Sequence, residues 1–319
     1  MSERMAQGRT TAGAVPIRLP GYRVRAATTA DGEAIHRLVG ACERELYGRA
    51  VTGADAVTAD LTLPGVDPRL DTVLVQGPGE EPAGWGWVKR GRRFRADVHP
   101  AHRGRGIGTA LLAWAEARAR EAGSDRLAQT VPDGDRAAIA LVRANGYLPF
   151  VTEWLLEIGL AAEPPVIAPP SGITVRSFRP GDEQEAYRLT EDAFAEWQPR
   201  RLPYEEWAGH CVARETFAPG ASPLAFAGGE MVGAVLSLDD PGRDEGYVER
   251  IAVRRDHRGR GIAGLLLTEA FRACRREGKR TCTLWTHSET GALPLYQRMG
   301  MSVRRSSTVY GRALTGPPE

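Results

Sequence analysis

The chain lacks most of what would tie it to a metal, a membrane or an oxidising compartment. It has four cysteines (Cys42, Cys211, Cys274, Cys282), no Cys-x-x-Cys pair, and six scattered histidines. That spacing argues against a zinc site, and unpaired cysteines fit a reducing cytoplasm. No apolar run approaches the roughly 18 residues of a membrane span. Residues 1–20 carry basic and small residues without an apolar centre, so they read as a disordered tail rather than a signal peptide. Charge of either sign is not in excess: 42 Lys and Arg against 40 Asp and Glu leave a net +2. Nucleic acid and membrane surfaces therefore have nothing to hold. The expectation is a cytoplasmic protein with a small-molecule partner and no metal.

What is present is a repeat. His102-Arg103-Gly104-Arg105-Gly106-Ile107 recurs letter for letter at His257-Arg258-Gly259-Arg260-Gly261-Ile262, 155 positions later in a chain of 319. Around it the match continues with small offsets. Tyr22-Arg-Val-Arg parallels Ile173-Thr-Val-Arg; Asp31 and Asp182 each open an amphipathic helical pattern; Asn145-Gly146 parallels Met299-Gly300. The stretch 161–171 holds four prolines and reads as a semi-extended linker. This implies domains at 21–160 and 172–314. Periodicity predicts strands over 83–89, 231–238, 247–253, 280–286 and 302–310. It predicts helices over 109–122, 264–277 and 291–299. Such alternation gives an α/β fold, a mixed sheet with helices on both faces.

Each glycine segment follows an apolar run ending in Val (Val98, Val253) and precedes a helix. A glycine-rich turn at a helix N-terminus presents backbone N–H groups to an anion, and the helix dipole adds to the pull. Glycine leaves no Cβ in the way and permits positive φ. The Walker Lys-Ser/Thr and the Rossmann Gly-x-Gly-x-x-Gly are both absent. The patterns are Arg-x-x-Gly-x-Gly (Arg103, Gly106, Gly108) and Arg-x-x-Gly-x-Ala (Arg258, Gly261, Ala263).

In this setting, with Leu295-Tyr296-x-x-x-Gly300-Met301 near the end, the chain closely resembles the GCN5-related N-acetyltransferases in a tandem form. The layout is similar to mycothiol synthase. The resemblance covers nearly the whole chain and implies two acyl-CoA N-acyltransferase domains using acetyl-CoA as co-substrate. It assigns the pyrophosphate to Arg103, Gly104, Arg105, Gly106, Ile107 and Gly108 in the first copy. In the second it assigns Arg258, Gly259, Arg260, Gly261, Ile262, Ala263 and Gly264. The pantetheine arm and thioester fall to the backbones of Ala96, Asp97 and Val98, and of Ile251, Ala252 and Val253.

Acetyl transfer to an amine needs a base, carbonyl-polarising donors and an acid for the leaving thiolate. The resemblance implies Glu249 as base and Tyr296 as acid. Read from the residues alone, Glu249 equally fits a strand-end carboxylate paired with Arg250, and Tyr296 a buried helix tyrosine beside Gly300. An even separation puts Glu249 on the face of Val253 unless a bulge intervenes. Aligning Val98 with Val253 sets Phe94 opposite Glu249, and aligning Gly146 with Gly300 sets Val142 opposite Tyr296. Neither can move a proton, so catalysis is expected in the C-terminal domain alone. Where the family often carries Asn before the last helix, this chain has His287-Ser288-Glu289-Thr290 and Asp133-Gly134-Asp135.

The stretch from Phe194 to Trp207 places Trp197, Tyr204 and Trp207 near Glu191, Asp192, Glu196, Glu205 and Glu206. That composition suits a cationic, partly apolar amine; it equally suits rings packed between the halves and a solvated acidic helix face. The acceptor is expected to be a primary amine of a small molecule. The competing readings are a cysteinyl amine, as in mycothiol synthase, and an acyl-CoA sensor without turnover. Two pseudo-equivalent domains favour a monomer.

Overall fold

The protein is described by a computed structural model over residues 17–62, 66–198, 200–240 and 244–314. Most of the expected N-terminal tail, and Pro199 in the aromatic stretch, lie outside the described residues.

The chain forms two compact units: residues 1–150 with 307–319, and residues 151–306. Along the first half run β1 (Arg23–Arg25), α1 (Gly32–Tyr47), α2 (Ala54–Leu61), α3 (Pro68–Asp71), β2 (Thr72–Gln76), β3 (Pro82–Lys89) and β4 (Arg93–Val98). Then come α4 (Ile107–Glu121), β5 (Arg126–Pro132), α5 (Arg136–Ala144) and β6 (Leu148–Gly159). The second half repeats the order with β7 (Ile173–Ser177), α6 (Glu183–Phe194), α7 (Tyr204–His210), β8 (Pro223–Ala227), β9 (Glu230–Asp240) and β10 (Glu245–Val253). It closes with α8 (Ile262–Arg276), β11 (Thr281–His287), α9 (Leu293–Arg298) and β12 (Ser302–Ala313).

The first unit's strands lie in the order β1-β2-β3-β4-β5-β12, and the second unit's in the order β7-β8-β9-β10-β11-β6. Only β4 with β5 and β10 with β11 run parallel; the other pairs within each unit are antiparallel. The sheets are mixed, as expected. The contiguous division at 21–160 and 172–314 differs from this one in the last strand of each half. Residues 307–313 of β12 pair with β5 in the first unit, and residues 153–159 of β6 pair with β11 in the second. Each half of the sequence thus lends its final strand to the other unit's sheet.

Each sheet buries both faces. In the first unit Val73, Val88, Phe94 and Val131 pack with α4 residues Ile107, Leu111 and Ala115, while Leu74 and Trp85 pack with α1 residues Ile35 and Val39. In the second, Val235, Val248 and Leu284 meet α8 through Ile262, Leu266 and Phe271. Ala234, Leu236 and Ala252 meet α6 and α7 through Leu189 and Trp207. Each fully buried Leu or Phe contributes about 1.5–3 kcal/mol.

The matched Arg and Asp found in the sequence form the same clamp twice. Arg25 donates both terminal nitrogens to Asp31 (2.7 and 2.6 Å), and Arg176 does so to Asp182 (2.7 Å each). Paired hydrogen bonds of this kind fix the strand against the helix it leads into. The clamp and further bonds from Thr28 hold the Asp31 carboxyl down at about 2.

Candidate active site

Both glycine loops turn the same way. A short 3-10 turn (Pro100–His102; Arg255–His257) leaves the strand. Gly104 and Gly106 then take φ of +74° and +80°, and Gly259 and Gly261 take +74° and +81°. Gly106 and Gly261 stand at the left-handed N-cap positions of α4 and α8. A Cβ at any of these four would meet nothing within 4 Å, so glycine is required there by the backbone angle, and the face is open to a ligand. The first turns of α4 and α8 bring N–H groups without intrahelical acceptors to that face.

The loop arginines are held by the protein itself. Arg103 pairs with Glu45 at 2.5 Å, and Arg258 donates to both oxygens of Glu196 (2.9 and 2.8 Å) and to the Val253 carbonyl (3.1 Å). Arg105 donates to the Tyr22 hydroxyl at 3.3 Å, and Arg260 to the Ser171 carbonyl at 3.2 Å. Their side chains set the loop's shape, which leaves anion contact to the amides.

Beside each loop the sheet opens. Strand β10 keeps parallel register with β11 from Glu245 to Val248, opposite Thr281 to Leu284, and no further. Its pairing with β9 runs on to Val253 but shifts between Val248 and Arg250. Glu249 is therefore the extra residue of a β-bulge, the device that re-aims side chains next to sites. In the first unit β4 pairs with β5 only at Arg93–Ala128 and Phe94–Gln129, and its register with β3 is unbroken. Phe94 thus occupies the place of Val248, not of Glu249. Glu249 has no counterpart in the first unit, because the bulge adds one residue to one strand only.

The bulge also overturns the even-spacing inference. Val248 and Val253, an odd number apart, both pack in the α8 core. Glu249 sits half-buried near His210 and Arg214 on the α7 side. Burial raises its carboxyl above the ordinary range, opposed by Arg250, His210 and Arg214. Arg250 does not pair with it. Arg250 is 7% exposed, lies over the Phe194 ring at 5.0 Å, and donates to Glu191 at 3.1 Å.

Tyr296 stands on the opposite side of β10, buried on α9 among Val253 and Ile262, with Ile251 and Ala263 packed alongside. Burial pushes its hydroxyl up to about 12, against a hydrogen bond with Thr286. Val142 takes the matching place on α5 and is part of the first unit's core. In the stretches lacking the family's Asn, Thr290 donates to the His287 carbonyl at 2.8 Å. Asp135 caps α5 by accepting from the Ala138 amide at 2.9 Å.

Four of the five acidic residues from the end of α6 to the start of α7 are engaged by arginines and backbone, Glu205 being the exception among described partners. Glu191 takes Arg250 and the Leu202 amide (2.7 Å), Asp192 takes Arg201 (2.7 Å), Glu196 takes Arg258, and Glu206 lies 3.7 Å from Arg200. Trp207 is fully buried and donates to Thr190 at 3.0 Å, so it belongs to the α6–α7 core.

Sequence reasoning missed a cavity of about 800 Å3 in the first unit. It extends from Gly104, Gly106 and Gly108 along Ala96 to Val98 to a chamber with Glu43, Trp87 and Lys89. Its walls come from α1, β3, β4, α4, β5, α5 and β12, and no single stretch announces it. The one signal was the basic run Lys89-Arg-Gly-Arg-Arg-Phe-Arg95. The second unit has a smaller cleft of about 480 Å3, between α6 and the end of β10.

Two mixed sheets, each splitting open beside a glycine loop that starts a helix, define an acyl-CoA-dependent N-acyltransferase built twice. Residues 76–147 and 184–301 match the Acetyltransferase (GNAT) family, and the chain belongs to that family. It is 29% identical over 265 residues to a mycothiol acetyltransferase of Cellulomonas flavigena, covering 76% of this chain and 75% of the relative. It is 29% identical over 288 residues to that of Saccharomonospora viridis, covering 84% and 92%. Among solved structures, a GCN5-related N-acetyltransferase from Sphaerobacter thermophilus superposes with a TM-score of 0.80 at 30% identity, over 95% of this chain and 99% of that one. A tandem GNAT protein from the clavulanic acid biosynthesis pathway shares the fold, with a TM-score of 0.71 at 19% identity over 93% and 100%. The chain is an acetyl-CoA-dependent acetyltransferase of tandem type, similar in layout to mycothiol synthase. No helix among the described residues is long and apolar enough to cross a membrane.

Proposed function

We propose that the chain moves the acetyl group of acetyl-CoA to the primary amine of a small molecule, with the chemistry in the second unit. The observation that carries this reading is the bulge at Glu249, placed where β10 parts from β11 and absent from β4. The open faces of Gly259 and Gly261 and the N-terminus of α8 fit the CoA pyrophosphate. Backbone groups of Ile251 to Val253, free of β11, fit the pantetheine arm and polarise the thioester carbonyl. The co-substrate supplies the activated acetyl group. Glu249, its carboxyl raised by burial, takes the proton from the acceptor's ammonium. As the new C–N bond forms and the C–S bond breaks, Tyr296 protonates the departing thiolate. Its high hydroxyl pKa keeps the proton available until then.

The first unit holds acetyl-CoA without turning it over in this reading. Its cavity and glycine loop support binding, and Phe94 and Val142 offer no proton transfer. The relatives named mycothiol acetyltransferase favour the second acceptor class raised by the sequence, a cysteinyl amine. The test is a transfer assay, corrected for thioester hydrolysis, on a panel of cysteinyl and simple amines. Glu249→Gln and Tyr296→Phe should each lower kcat by about 100-fold or more. Unchanged rates in both would sink the assignment. Acetyl-CoA binding without turnover on any amine would leave a sensor.

A further inference from the structure

The cavity of the first unit passes through the gap between β4 and β5, and its two ends differ. Toward α4 and α5 it is walled by the glycine loop and by Ile107, Leu112 and Leu141. Gln129, almost fully buried and with no described hydrogen bond to its side chain, borders it there. On the α1 side the character is cationic. Val88 and Phe94 point into the α4 core, so strand alternation turns Lys89, Arg93 and Arg95 to the other face. Arg95 is compensated by Asp97 and Asp60, each at 3.2 Å. Glu43, the carboxylate bordering this chamber, is filled by the Val51 and Thr52 amides (2.7 and 2.9 Å) and by the Thr52 hydroxyl. Lys89 and Arg93 enter no ion pair with a described residue. Lys89, half-buried and feeling the Asp60 carboxylate only at longer range, and the exposed Arg93 therefore stand without an ion pair on the α1 side of the gap, where an acyl chain would emerge. In the second unit the equivalent pair is Leu238 and Tyr247, neither of them cationic.

We propose that the first unit selects an acyl-CoA whose acyl chain ends in a carboxylate, such as a malonyl or succinyl thioester, and that Lys89 and Arg93 hold that carboxylate. A guanidinium and an ammonium together give a carboxylate charge-assisted bonds that an acetyl group cannot use. The proposal rests on the reading that the first unit holds a CoA thioester.

The experiment is titration calorimetry on the full chain with acetyl-CoA, with succinyl-CoA, and with CoA plus free succinate. Acetyl-CoA should fill two sites. Succinyl-CoA should bind one of them about tenfold or more tighter than acetyl-CoA does. The double variant Lys89→Met, Arg93→Met should lose that preference while still taking up two acetyl-CoA, which also shows that it is folded. Equal affinities for the two thioesters, or a preference that survives in the double variant, would overturn the proposal. A gain with CoA plus free succinate would assign the chamber to a separate carboxylate and overturn the thioester assignment. A single acetyl-CoA site, abolished by Gly261→Val, would instead remove the underlying reading of the first unit.

Discussion

Glu191→Gln is the sharpest single perturbation of the second unit. The Glu191 side chain is 1% exposed and that of Arg250 is 7% exposed. The carboxylate serves Arg250 through one oxygen and the Leu202 amide through the other. The amide side chain keeps the shape and can still accept one hydrogen bond, but the buried guanidinium loses its counter-charge. Removing one partner of a buried pair costs about 3–5 kcal/mol, mostly from the charge left behind. For a unit of this size each kcal/mol lowers Tm by about 2–4 °C, so the transition of the second unit should fall by about 6–20 °C. The loss reaches function because Arg250 directly follows Glu249 in the bulge, and its pairing helps set the strand that aims the base. Differential scanning calorimetry with steady-state kinetics on the same sample tests both links. Glu191→Leu combined with Arg250→Met removes both charges and should regain most of the lost stability without regaining the rate. A Glu191→Gln protein that melts within about 1 °C of the parent would refute the claim that this pair is a buried, mutually dependent one.

The raised carboxyl of Glu249 should make kcat/KM fall as pH drops through that elevated value, and Glu249→Gln should remove this limb from the profile. The same shift has a stability sign. The folded state holds this proton to higher pH than the unfolded state, so stability declines as pH rises from the ordinary Glu range through the raised value. Glu249→Gln should therefore melt higher than the parent at pH 8, and an equal or lower Tm would contradict the burial argument. Gly261→Ala forces a Cβ onto a φ of +81°, at a cost of about 1–2 kcal/mol; calorimetry should show weaker acetyl-CoA binding at one site and an untouched second. Ending the chain at Ser306 should melt the first unit, seen as loss of hydrogen-exchange protection in β5, although the cut lies far from it in sequence.

The duplication and the two glycine loops were legible because each loop is a short stretch with its own local chemistry. The bulge was not. One added residue in a strand changes the offset between halves by one, and the loop that follows keeps the same spacing of 155, so Phe94 lined up against Glu249 instead of Val248. Glu191 and Glu196 looked like part of an amine-binding face because their arginine partners, Arg250 and Arg258, come from far along the chain. Strands β6 and β12 each close their half of the sequence, and nothing local says which sheet either will join. The cavity of the first unit failed to show for a related reason, since its walls are gathered from seven elements.

The trading of final strands has a consequence for how the molecule comes into being. While the first half is being synthesised, its sheet has β5 at an edge with no neighbour waiting, and the strand that will cover it follows every strand of the second unit in the sequence. An exposed strand edge invites wrong partners. While residues 133–306 are being made the first unit therefore carries an open edge, and it can close only once β12 has followed the strands of the second unit. Separate expression of residues 1–160 would trap that unfinished state. A cleaner way to isolate the first unit is to join residues 307–314 after residue 150, supplying the missing strand directly.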